Sequence, residues 1–452
     1  MTLGFSLLAF ALLSTGLYHG TVFLEYAKHD TADPWAVVLV TLGTAAALVA
    51  AGARWPDRLE QRVASALRPL LVALVLGQLA LLYLHVPGEY LRPDAELLWF
   101  DSAVGVAALA VASWLVPTRR PDARVAVLLA VFVALGLWLI ANSPLPNIDV
   151  WHVQQRAGDL LLHGANPYAA DYPNIYPDLK FYEPSIVPGN RIHSFNYLPL
   201  TLLFDAAGRL FGDVRYAMLA AMAATALLGV ALGRGLGLPR GHPAELAAFA
   251  ALFHPRILYL LEAAWTEPVL AVSAAACALA VARPAAARAR PFAVAAVASA
   301  KQFGVLMTLP LWRAGRVRTR DLALGGLLTA ALIAPFFLLA PRDFLWGTVT
   351  FLVKQKFSSG GLTLVALVAA RTGWVAPPWL SFATVLGGLA VVLRPRDARL
   401  GRALVAAAAA FLSFFLFSKQ AFLNYYWFAQ VLLGLGLVAA VAELQRPSAK
   451  TT

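Results

Sequence analysis

The chain has 452 residues, 60% of them hydrophobic and only 13% charged, with a net charge of +12. Soluble domains carry about a quarter of their residues as charges, so this composition excludes an ordinary soluble enzyme. The single Cys277 excludes a disulfide framework and a thiolate metal site. The basic residues lie between apolar blocks and form no nucleic-acid face.

Apolar runs of about 20 residues recur along the chain, each long enough to cross a bilayer core. A closed barrel would need short alternating segments instead. The predicted fold class is therefore all-α, a polytopic membrane bundle of about 13–14 transmembrane helices. The runs fall near 3–24, 35–53, 66–85, 96–116 and 122–142, then 213–233, 243–261 and 266–282, then 291–312, 322–340, 376–393, 401–418 and 423–442. The first lacks a basic flank and a clear cleavage site and reads as a retained span. Residues 1–142 form an N-terminal five-span region, 143–212 a large outer loop, and 213–452 the rest of the same membrane core.

Orientation follows from Lys and Arg in the short loops. Arg54, Arg58 and Arg62, then Arg119, Arg120 and Arg124, mark cytoplasmic loops, whereas the 25–34 and 86–96 loops are acidic. Later basic loops around 234–240, 283–290, 313–320 and 394–402 keep the same sense. The cytoplasmic side thus collects 22 basic and 7 acidic residues, against 14 and 17 elsewhere. The expected location is an integral plasma (inner) membrane, with both termini cytoplasmic and residues 143–199 outside. Residues 291–312 lie between two basic loops, which a single crossing cannot satisfy; a hairpin of two short helices turning near Lys301 and Gln302 can, the alternative being one crossing with the spans elsewhere counted differently. Residues 195–212 read as an interfacial helix interrupted by Asp205 and Arg209, and 361–372 look similar.

Within the outer loop, Val150, Val153, Ala157, Leu160 and Leu161 recur at helical spacing, with Gln154, Gln155, Arg156 and Asp159 as the polar complement. Gly164 and Pro167 end this amphipathic helix, and Asp149 stands at its start. The residues leave two compatible readings: a cap for the helix, or a general base that takes a proton from a sugar hydroxyl. In HPRILYLLEAAWTEP (254–268), Arg256, Glu262 and Glu267 sit within or beside apolar runs, where ionisable groups face a partner or a cavity. They read either as a structural pair or as ligands for a lipid phosphate and sugar hydroxyls. Lys301 is a cation at the tip of the expected hairpin, suited to a phosphate or simply snorkelling. FLVKQKFSSGG offers Lys354 and Lys356, and FSKQAFLNYYWF offers Lys419, Gln420, Asn424 and Tyr425. Tyr426 and Trp427 read as an interfacial aromatic belt. No phosphate-loop motif and no HExxH are present, and the outer loop has no DxD. His152, His163 and His193 have no diagnostic spacing. No cofactor is indicated, and the sequence leaves a divalent cation on Asp149 open.

The order of apolar span, Asp149, a helix ending GANPY, then FNYLP and another span resembles the GT-C glycosyltransferases, most closely glycosyltransferase family 87. The likeness runs from about Leu137 to Phe428 and is strongest over 143–235. It implies a polyprenyl-phosphate sugar donor, most like mannose, and a glycan or glycolipid acceptor outside the cell. It also implies that Asp149 is the catalytic base, that the 254–268 joint with Arg256, Glu262 and Glu267 forms part of the donor pocket, and that Lys301 meets the donor; Lys354, Lys419 and Tyr425 are candidate substrate contacts from their outer position alone. Tyr168 of GANPY and Tyr197 of FNYLP join that set. In this family the catalytic loop usually follows the first span, whereas here four further spans come before it. A transporter or lipid flippase is the alternative, although no two matching halves are found.

Overall fold

The protein is represented by a computed structural model that describes residues 2–27, 33–53, 56–176, 182–358, 360–377, 379–393 and 398–445. Arg54, Arg394 and Arg396, counted above for orientation, lie outside these residues, as does part of the 25–34 loop.

The chain begins with α1 (Thr2–Ala27), α2 (Pro34–Gly52), α3 (Asp57–Ser65), α4 (Leu67–Tyr83), α5 (Leu97–Ala112) and α6 (Pro121–Asn142). The outer loop holds α7 (Asp149–Leu162), a small hairpin of β1 (Asp171–Pro173) and β2 (Arg191–His193), and α8 (Pro199–Arg209). The two strands are antiparallel, with Asp171 opposite His193. Next come α9 (Arg215–Gly235), α10 (Glu245–Ala250), α11 (Ile257–Glu262), α12 (Glu267–Ala282), α13 (Arg290–Ala300), α14 (Thr308–Arg313) and α15 (Thr319–Leu339). The remainder is α16 (Pro341–Leu345), a π-turn at Trp346–Thr350, α17 (Phe351–Lys354), α18 (Leu364–Thr372), α19 (Trp379–Leu393), α20 (Leu400–Leu416) and α21 (Leu423–Leu444).

By length and composition 7 of the described helices can cross a membrane: α1, α2, α5, α6, α9, α15 and α21. The bent pair α3–α4 makes 8 if it is one span, and α12 and α20 are shorter apolar helices. The molecule is thus an all-α bundle of membrane type. The expected span 243–261 is not a single helix. It breaks between α10 and α11, where Pro255 lacks an amide and disfavours helical backbone at His254.

Hydrogen bonds sort the helix ends into two groups. At one end Arg234 contacts Glu245 and Asp122, both at 2.7 Å, and Gln445 meets His242 at 2.9 Å. Glu443 accepts from the Leu400 amide at 2.7 Å and from Arg316 at 3.2 Å. At the other end lie the starts of α9, α12 and α21. The 291–312 segment breaks at Lys301, as its flanking charges predict. Gly304 folds back onto the Val297 carbonyl, so tightly that a Cβ would lie 2.2 Å from that oxygen. α13 and α15 run parallel, with Gly325 against Pro291 and Thr329 donating to the Ala295 carbonyl at 3.4 Å. The chain therefore returns to its starting end between them.

The N-terminal helices belong to the core. α1 and α2 pack together and lie against α20 and α21. Small residues allow the close approach: a Cβ on Gly16 of α1 would stand 3.1 Å from the Ala36 carbonyl oxygen of α2. Ser14 accepts from Gln78 at 2.8 Å and from Gln430 at 2.7 Å, tying α1 to α4 and α21.

α8, at 11 residues, is too short to cross. Asp205 does not mark a wet face of it as the sequence suggests. It is fully buried, and neither carboxylate oxygen has a hydrogen-bond partner among the described residues. Burial holds its carboxyl well above the ordinary range.

Candidate functional site

α7 starts at Asp149 itself, with Ile148 as the preceding cap residue and no side-chain cap bond there. Its far end closes as the sequence predicts: Gly164 has φ +76°, and the Ala165 amide reaches back to the Leu160 carbonyl at 2.9 Å. The buried face differs from expectation. Val153 and Ala157 are buried, but so are Trp151 and Gln154, because the helix packs on two sides. Gln154 is not part of a polar outer face; its amide donates to the Ala264 carbonyl at 2.6 Å. Trp151 donates to Asp213, and Arg215 grips Asp213 at 2.7 Å while donating to the Ser143 carbonyl at 2.8 Å. This buried clasp fixes the start of α7 against α9 and the end of α6.

The half-buried Asp149 carboxylate accepts a hydrogen bond from the Tyr182 hydroxyl. The Asp149 amide donates to the Tyr176 hydroxyl at 3.3 Å. Burial pushes the Asp149 carboxyl above its ordinary range; the Tyr182 hydroxyl, first-turn amides and His152 oppose this without cancelling it. Such a carboxylate is a stronger base than an exposed one.

A second cluster lies where α12, α13 and α21 meet. Lys301 pairs with Glu267 and donates to Thr266 at 3.3 Å. Asn424 donates to the other Glu267 oxygen at 2.7 Å, and the Lys301 ammonium lies 4.8 Å from the Tyr425 ring centroid. Gln302 holds the neighbouring loop, donating to the Asn196 carbonyl at 3.1 Å and the Thr348 carbonyl at 3.2 Å.

The two clusters are joined through the turn ahead of α12. Ile148 and Trp151, which flank Asp149, pack on Ala263 and Ala264, just before Thr266 and Glu267, and Gln154 of α7 donates to the Ala264 carbonyl. Burial raises the Tyr197 hydroxyl pKa well above the ordinary value. Tyr168 supports this arrangement from behind. It is fully buried and donates to the Tyr197 carbonyl at 2.8 Å.

The other predicted residues are placed differently. Arg256 is buried, donates to the Val86 carbonyl at 3.2 Å and lies 4.9 Å from the Tyr259 ring centroid. Glu262 accepts the amides of Glu89 at 2.6 Å and Tyr90 at 3.0 Å. Lys419 caps the Val353 and Gln355 carbonyls at 2.8 and 2.7 Å. Gln420 donates to the Lys356 carbonyl at 2.9 Å. Lys354 is exposed beside Trp346. Tyr426 and Trp427 are not an interfacial belt. Both are fully buried, donating to the Leu362 carbonyl at 2.6 Å and the Ala251 carbonyl at 2.9 Å, because α21 runs through the core.

Sequence reasoning missed Tyr176, Tyr182, Glu89 and Tyr90, which reach the Asp149 region only through loop closure. The Asp213–Arg215 clasp did carry a signal, as a charged pair just ahead of an apolar helix. Among the described residues no group of three or more His, Cys, Asp or Glu side chains could hold a metal ion. No family model, curated protein or solved structure matches this chain.

Proposed function

We propose that the protein is an integral-membrane glycosyltransferase of GT-C type, similar to glycosyltransferase family 87. It moves a hexose, mannose by that resemblance, from a polyprenyl phosphate to an extracytoplasmic glycan or glycolipid. The observation that carries this reading is the packing of Ile148 and Trp151, beside Asp149, on Ala263 and Ala264, which lead into the Glu267–Lys301 pair. One site thereby offers a basic carboxylate and a cation.

In the proposed reaction an acceptor hydroxyl attacks the anomeric carbon. The bond from that carbon to the phosphate oxygen breaks with inversion, and the hydroxyl proton passes to Asp149. Lys301 stabilises the charge gathering on the departing phosphate. Glu267 already pairs with this ammonium, so the donor phosphate must compete with it or share it. The finer membrane arrangement belongs to the same proposal. It has about 13–14 crossings or half-crossings of a plasma membrane, cytoplasmic termini, and Asp149 outside.

The buried Glu267–Lys301 pair also suits a transporter or flippase, where intramembrane charges mark a substrate path. One assay separates the readings. Purified wild type is given polyprenyl-phosphate mannose and an acceptor panel, alongside Asp149→Ala. Transfer by wild type and a loss of about 10²-fold or more in the variant are expected. A folded wild type with no transfer across a broad donor and acceptor panel rejects the enzyme; full activity in Asp149→Ala rejects the base.

A further inference from the structure

The loop between α4 and α5 is held far more firmly than a connection between two spans requires. Its backbone is tied at four points: the Val86 carbonyl to Arg256, the Glu89 and Tyr90 amides to Glu262, and the Arg92 amide to the Asn142 carbonyl at 2.8 Å. Gly88 lies so close that a Cβ would stand 2.6 Å from a Glu262 oxygen. Two buried ionisable residues, Arg256 and Glu262, are thus committed to this one turn.

The turn also lies beside the Asp149 site. Glu262 is followed by Ala263 and Ala264, which pack on Ile148 and Trp151 around Asp149. Asn142, where Arg92 is tied, ends the helix that leads to Asp149. The Tyr176 hydroxyl, which accepts the Asp149 amide, also feels the charge of Glu89. With its backbone fixed, the turn presents an exposed Glu89 side chain, which takes a hydrogen bond from the Tyr259 hydroxyl, and a half-buried Tyr90.

We propose that the turn from Pro87 to Arg92 is the acceptor-side wall of the Asp149 site, and that Glu89 and Tyr90 select a neutral polyhydroxyl acceptor over an anionic one. This rests on the transferase reading above. A carboxylate accepts hydrogen bonds from vicinal hydroxyls, and a tyrosine offers both a ring face for a sugar and a hydroxyl. The buried Glu262 is taken up by the Glu89 and Tyr90 amides beside Arg256, so the charge the turn offers near Asp149 is the exposed Glu89 carboxylate, and a phosphate on the acceptor meets like charge there whereas a neutral glycan does not. On this reading the spans α4 and α5 supply a specificity element to a site whose base lies elsewhere in the chain.

The test uses the full-length protein with polyprenyl-phosphate mannose as donor. The acceptor panel comprises short neutral mannose, galactose and arabinose oligosaccharides and a phosphate-bearing glycolipid. For Glu89→Gln and Tyr90→Phe the acceptor KM for the preferred neutral oligosaccharide rises about tenfold, the scale of one hydrogen bond to a charged group. The donor KM stays unchanged, and Glu89→Gln narrows the preference for neutral over phosphorylated acceptor. Binding of the same oligosaccharides without donor, read by saturation-transfer NMR, weakens in parallel. If folded variants keep wild-type acceptor KM, panel ranking and glycan binding, this inference is overturned and the transferase reading stands. If wild type transfers nothing yet binds neutral glycans through Glu89 and Tyr90, the transferase reading falls and the glycan wall remains. A wild type that neither transfers nor binds glycan overturns both.

Discussion

At Asp149 burial and hydrogen bonding pull in opposite directions, and burial prevails. A base must be ionised to act, so activity is expected to fall as pH drops through a value above the usual carboxylate range of about 4. Tyr182 donates to the ionised form and holds that value down. Tyr182→Phe removes the opposing hydrogen bond, so the acidic limb of the kcat/KM profile should move to higher pH. An acidic limb that stays in place would show that Asp149 does not govern it. Asp149 was legible in the sequence because a lone carboxylate followed an apolar run and opened a helical pattern. Tyr182 and Tyr176 were not legible, since they approach it only when the hairpin folds back over α7.

Among the elements, the β1–β2 hairpin packs Tyr172 and Ile192 with Phe344 of α16 and adds a charged link through His193. His193 contacts Asp171 at 2.8 Å and Asp343 at 3.0 Å, while Arg191 approaches Asp171 at 3.9 Å. Burial alone would lower the His193 pKa, but the two carboxylates outweigh it and hold the proton above the ordinary value. A raised value in the docked state gives stability that is complete below about 6.5 and is lost as pH rises through the docked value. Protection factors in 191–195 and 341–346, which take out the base-catalysed rise common to all amides, should therefore fall on going from acidic to alkaline pH. His193→Gln should show low protection throughout; wild-type protection that is flat in pH would deny the device. The two helix breaks were unequally readable. Lys301 was exposed by the basic loops on either side of it. His254-Pro255 carried an equally direct sign in its proline, which the surrounding apolar residues masked.

Across the whole molecule, buried amides and hydroxyls hold the N-terminal helices to the last one. Gln430 donates to Ser14 at 2.7 Å and to the Phe10 carbonyl at 3.2 Å, and Gln78 donates to the same Ser14 at 2.8 Å. Gln430→Leu should cost about 1 kcal/mol or less, the scale of such intramembrane bonds. Among the described residues its carbonyl oxygen has no partner, so its removal relieves a penalty. Ser14→Ala withdraws one acceptor from two buried amides and should cost more, about 1–3 kcal/mol. Unfolding midpoints in one detergent rank the pair; the reverse order would place the anchor elsewhere. The bundle class was plain from composition, because bilayer-length apolar runs admit few alternatives. Which helices touch was not, since Ser14, Gln78 and Gln430 are single polar residues with nothing in their local pattern to pair them.

The Glu267–Lys301–Asn424 cluster also bears on how the chain is made. Its carboxylate, ammonium and amide come from α12, the turn after α13 and the start of α21. During synthesis the ammonium meets its carboxylate early, but the amide that fills the second carboxylate oxygen emerges only with the final helix. Because α13 and α15 point the same way, the stretch between them cannot be laid down as one further crossing. It has to settle beside helices already inserted, and it reaches its final surroundings when α21 arrives. A nascent chain halted before that helix already carries Asp149, Tyr182, Glu267 and Lys301 but lacks Asn424, so this cluster is completed only at the end of translation.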